Sequence, residues 1–132
     1  MAEFRKLSAW ITPIAEKLIE TEQELAYIRE SDVTIGYLLS DREKRNHSKT
    51  VYGECEKVPD KWKWSVPFDF VITLFEPNIE ALNNEQIKIL LFHELLHVGV
   101  EQDGNEERYY IVPHDIEDFK TIINRFGVDW QL

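Results

Sequence analysis

The chain has 132 residues, 43% of them hydrophobic, and carries 15 basic against 25 acidic side chains for a formal charge of −10. That length and apolar content suffice for one buried core without crosslinks, and a single domain over residues 1–132 is the expectation. The charge balance opposes binding to phosphate backbones or anionic bilayers, so neither nucleic acid nor membrane is expected as a partner.

Cys55 is the one cysteine and cannot make an internal disulfide, which fits a reducing compartment. The opening MAEFRKLSAW lacks the apolar centre of a signal peptide, and no apolar run is long enough to span a bilayer. A cytoplasmic location is expected.

Trp10, Ile14, Leu18, Leu25 and Ile28 recur at helical spacing and predict an N-terminal helix. Thr12 is its expected N-cap, Pro13 its first helical residue, and Glu16, Glu20, Glu22 and Glu24 its wet face. Three strand-like runs follow: Val33–Leu39, Val51–Val58 and Asp69–Phe75, the last ending at Pro77. The first two flank Asp41–Lys49, which mixes both charge signs and reads as a solvated hairpin loop with His47 in water. Between the last two, Trp62 and Trp64 alternate with lysines and would share a face if extended. Core or hairpin packing is the expected role, with a substrate-facing wall as the alternative.

Asn83 and Gln86 form a capping-box pattern at the head of a central helix. From Ile87 to Val100 apolar residues lie on almost every side, as in a helix covered on several faces. Glu101–Glu107 reads as a loop and Arg108–Val112 as a short strand stopped by Pro113. Asp115 then caps a final helix over residues 116–126, with Glu117 and Asp118 in its first turn and Gly127 past its end. Grouped strands followed by helices predict an α+β fold with a three-stranded, mostly antiparallel sheet.

Within the central helix stand His93, Glu94 and His97, spaced H-E-x-x-H. Residues four apart share a helix face, so both imidazoles can aim at one ion. Glu94 is turned by about 100° from His93 and can reach a water without becoming a ligand. This is the spacing of zinc metallopeptidases. Zinc takes neutral imidazole nitrogen, and a catalytic site keeps a fourth position for water, whose proton a carboxylate can accept. Isolated polar groups in a buried helix would cost kilocalories, which favours a metal over chance.

A third ligand is required. His114 stands stiffly between Pro113 and Asp115; Glu117, in the following helix, is the rival. Tyr109 or Tyr110 could donate to an oxyanion, although packing is the commoner use of strand tyrosines. Asp115 could orient a ligand. Cys55 reads as an ordinary strand residue.

FHELLHVG (residues 92–99) and VPHDIEDFKTIINRFG (residues 112–127), together with the preceding DFVITLF and LNNEQIKILLFHELLH, resemble the phage metallopeptidase family, which is related to SprT-like zincins. The resemblance spans residues 33–127. It implies a small zincin-like domain, zinc held by His93, His97 and His114, Glu94 as general base, and a peptide or protein substrate laid along a sheet edge, with Val51–Val58 as the candidate edge. A phage or prophage product in a host cytoplasm is implied too. SprT-like relatives often carry a cysteine-rich zinc ribbon, which a chain with one cysteine lacks. Two rival functions are a zinc amidohydrolase of small amides and a zinc-holding interaction module without catalysis. Glu94 favours an enzyme, because a structural zinc site closes its fourth position and needs no such carboxylate.

Overall fold

The computed structural model describes residues 3–114 together with Ile122, Arg125 and Phe126. The expected final helix falls largely outside these, as do Asp115, Glu117, Asp118 and Gly127; Ile122, Arg125 and Phe126 are helical, and Ile122 is fully buried.

Strand β1 (Arg5–Leu7) precedes helix α1 (Ile11–Thr21). The helix starts one residue before Thr12, so Thr12 is not its N-cap. Ser8 satisfies the helix start instead. Its hydroxyl accepts the Ile11 N–H at 3.2 Å, and its carbonyl accepts the Thr12 hydroxyl at 2.8 Å. The predicted single helix is also broken. At Glu22 the backbone turns extended (φ −88°, ψ 123°), and a 3₁₀ turn (Gln23–Leu25) leads into α2 (Ala26–Arg29). The break preserves burial of Leu18, Leu25 and Ile28, while Trp10 stays 42% exposed.

Strands β2 (Ile35–Ser40), β3 (Arg45–Asn46), β4 (Lys49–Thr50), β5 (Gly53–Lys57) and β6 (Phe70–Phe75) follow. β3 and β4 pair with each other, with His47 at φ 60° in the exposed turn. The main sheet has four strands, not three, in the order β1-β2-β6-β5, because the N-terminal segment adds a strand. β2 and β5 are not neighbours: β6 lies between them, parallel to β2 and antiparallel to β5. The composition of β6 explains its place. Phe70, Ile72, Thr73, Leu74 and Phe75 are all fully buried, and a strand apolar on both faces belongs at a sheet's centre.

α3 (Glu76–Ile79) turns the chain into α4 (Asn84–Leu95). The capping box forms as predicted: Asn83 accepts from the Gln86 amide at 2.8 Å and Gln86 accepts from the Asn83 amide at 2.9 Å. α4 lies in the core with α1 and one face of the sheet, and Leu90, Leu91, Phe92 and Leu95 are buried in it.

The central helix ends earlier than its apolar pattern suggests. Residues 98–103 form β7 (Val98–Asp103), which pairs with β8 (Glu106–Ile111) across Gly104-Asn105. Gly104 has φ 64°, the left-handed value that a two-residue hairpin turn demands at its first centre. Val98 and Val100 are β-branched and favour the strand.

Candidate metal centre

His93 sits in the last turn of α4, and His97 two residues past its end. The backbone tightens between them: the His97 N–H donates to the Glu94 carbonyl at 3.1 Å and the Leu96 N–H to Phe92 at 3.1 Å. The Tyr27 hydroxyl donates to the Val98 carbonyl at 2.6 Å and lies 3.3 Å from that of Leu95, clamping the same turn from α2. Burial holds the Tyr27 phenol well above the ordinary tyrosine range, so it remains a donor.

The hairpin delivers the third histidine. Val112 extends the β7–β8 ladder by one residue, its N–H donating to the His97 carbonyl at 2.8 Å. The Val112 carbonyl lies 2.7 Å from His97 Nδ1. A carbonyl only accepts, so Nδ1 carries the proton and His97 presents its Nε2 lone pair. Two residues on, His114 places Nε2 at 3.0 Å from Nε2 of His93 and at 3.0 Å from Nε2 of His97. The ligand atoms of the three histidines all lie within 4.8 Å of one another.

This donor set fits a metal ion. Three ring nitrogens aimed at one point repel unless a proton or a cation stands between them, and His114 Nε2 has one hydrogen at most to share with two neighbours. Tetrahedral zinc ligands at about 2.0–2.1 Å from the metal stand about 3.3 Å apart, close to the spacing seen. His93 is 9% exposed while His114 is exposed, so one side of the cluster is walled by the core and the other is open.

Glu94 is 4% exposed, and its stem lies beside Gly53 of β5, the last strand in the sheet order. A Cβ built on Gly53 would lie 2.8 Å from a Leu74 methyl and 3.2 Å from the Thr73 carbonyl, which favours glycine there, and 3.6 Å from Glu94 Cγ, which places the carboxylate stem beside β5. The Cys55 thiol is pushed up, first by burial and then by the Glu94 carboxylate.

Residues 6–132 match the family described as "Putative phage metallopeptidase". The chain belongs to this phage metallopeptidase family. The match covers nearly the whole chain, including both segments that carry the histidines. No curated protein and no solved structure matches the chain. Among the described residues of this family member, no helix is long and apolar enough to cross a membrane.

His93, His97 and His114 come together as the sequence suggested; Glu117 and Asp115 lie outside the described residues. Tyr109 donates its hydroxyl to Glu107 at 2.7 Å and packs edge-on against Phe70, and Tyr110 covers Gly99. Two participants escaped sequence reasoning. The Val112 carbonyl has no side-chain signature, and Tyr27 is remote in sequence. A faint signal existed in Gly104-Asn105, a two-residue hairpin turn whose register sets residue 97 opposite residue 112.

Trp62 and Trp64 do not pack in the core. Asp60–Trp62 is a 3₁₀ turn, and the two indoles are 49% and 81% exposed.

Proposed function

We propose that the protein is a zinc-dependent peptidase, acting as one cytoplasmic domain with a zincin-like arrangement of helix and sheet. The observation that carries this reading is the convergence of three imidazole Nε2 atoms beside a buried glutamate. In it His93, His97 and His114 hold the metal, and the Val112 carbonyl fixes the tautomer of His97. Zinc, when bound, lowers the pKa of its water to about 7 and polarises a carbonyl oxygen. Glu94 accepts the proton of the attacking water and returns it to the departing amine. Burial keeps bulk solvent from competing for that proton.

Substrate binding falls to β5. Its pairing with β6 uses the even-numbered residues, as the Val58 N–H to Asp69 carbonyl and Phe75 N–H to Tyr52 carbonyl bonds bracket. The N–H and C=O of Gly53, Cys55 and Lys57 therefore face outward. Among the described residues no strand pairs with that edge. An extended peptide added there passes Glu94 at Gly53.

The test is metal content together with cleavage of a proteome-derived peptide library by the wild type and Glu94→Gln. The variant is expected to hold as much zinc as the wild type and to hydrolyse at least about 100-fold more slowly. Equal rates would remove Glu94 from the chemistry. Zinc binding with no cleavage by either protein would favour a non-catalytic module.

A further inference from the structure

Beyond the metal centre, the most conspicuous exposed feature is the turn between β5 and β6. We propose that Trp62 and Trp64 form a substrate subsite that grips a bulky apolar side chain of an extended peptide, several residues from the bond that is cut. This rests on the peptidase reading above.

Trp62 and Trp64, 49% and 81% exposed on one short turn, leave large apolar surfaces in water. The backbone of the turn is anchored. The Trp62 N–H donates to the Pro59 carbonyl at 2.9 Å, and the Trp62 carbonyl accepts from Ser65 and Val66 at 3.0 and 2.9 Å. Lys63, between them, is pinned inward: its ammonium lies 2.9 Å from Asp69 and 3.4 Å from Asp60, and 5.8 Å from the centre of the Tyr109 ring. Asp69 is in turn fixed by the Thr34 N–H at 2.9 Å and hydroxyl at 3.1 Å. A loop anchored this firmly loses little freedom when a ligand arrives.

Its position supplies the occupant. The turn continues β5, whose outward backbone groups run from Gly53, beside Glu94, to Lys57. Four residues of strand span about 13 Å. The Lys63–Tyr109 contact places the turn on the sheet face that carries α4 and the hairpin, because Tyr109 packs on the core-facing Phe70. A peptide paired with β5 therefore meets the indoles at the far end of its path. The charge argues for a peptide over single-stranded nucleic acid: Lys63 is neutralised by two aspartates and the chain carries −10.

The experiment compares wild type, Trp62→Ala, Trp64→Ala and Trp64→Phe on the peptide library and on matched long and truncated versions of one cleaved peptide. The wild type should enrich aromatic or large aliphatic residues four or more positions from the cut. In Trp64→Ala that enrichment should vanish, and the ratio of kcat/KM for long over truncated peptide should fall about tenfold. Trp64→Phe should restore most of it. An unchanged library profile and ratio in both alanine variants would overturn the subsite while leaving the peptidase reading intact. No cleavage by the wild type would overturn both. A labelled oligothymidine that binds the wild type but not Trp64→Ala would reassign the surface to nucleic acid and overturn the proposal.

Discussion

His97 and Val112 hold each other at two points: the Val112 N–H donates to the His97 carbonyl at 2.8 Å, and the Val112 carbonyl accepts from His97 Nδ1 at 2.7 Å. One residue thus closes the hairpin ladder, orients an imidazole and, through Pro113, sets the starting point of His114. Fold and site share a joint here.

His114→Ala should weaken zinc binding by more than about 100-fold, beyond what loss of an outer-shell partner costs. Glu117→Ala should change it far less. Competition with a chromophoric chelator measures both; the reverse order would transfer the third position to Glu117.

Pro113→Gly leaves every ligand in place but loosens the tether of His114. Freedom gained by the uncomplexed chain amounts to about 0.4–1 kcal/mol, so zinc affinity should drop about two- to fivefold. An affinity identical to that of the wild type would show that the proline contributes no preorganisation.

Tyr27→Phe deletes the hydroxyl that bonds the Val98 carbonyl. Stability should fall by about 0.5–1.5 kcal/mol in urea unfolding. Because the same bond clamps the turn holding His97, zinc affinity should fall as well; a stability loss with unchanged affinity would confine Tyr27 to the scaffold.

Asn83→Ala breaks the capping box at the far end of α4. The expected cost is about 1 kcal/mol, read as a lower Tm, with zinc stoichiometry unaltered. Loss of zinc along with stability would mean that fraying of the first turn reaches His93.

Glu3 provides a pH signature away from the site. Its bonds to the Arg5 guanidinium and the Ser40 hydroxyl hold the carboxyl at about 2, against an ordinary 4.5. A folded pKa below the unfolded one means a contribution that is complete above pH 4.5 and lost as pH falls toward about 2. Partial exposure keeps it small. Between pH 5 and pH 2.5, roughly the window that linkage sets, the urea midpoint of the wild type should fall more steeply than that of Glu3→Gln. Parallel curves would contradict the assignment.

Much of the candidate metal centre was legible in the chain itself. His93 and Glu94 are fixed relative to one another by helical geometry, His97 follows in the turn that ends the helix, and the cap at Asn83–Gln86 is likewise local. His114 could be put ahead of Glu117 from its stiff flanks and from family resemblance, but local rules could not place it in space. Its arrival at 3.0 Å from both partners depends on β7 and β8 pairing in one register. Apolar residues from Ile87 to Val100 suit a buried helix and a buried strand alike, so periodicity alone carried the helix too far. The insertion of β6 between β2 and β5, and the exposure of Trp62 and Trp64, were decided only in three dimensions. A strand's neighbours and an indole's surroundings are set by what the rest of the chain leaves uncovered, and no window of sequence contains that information.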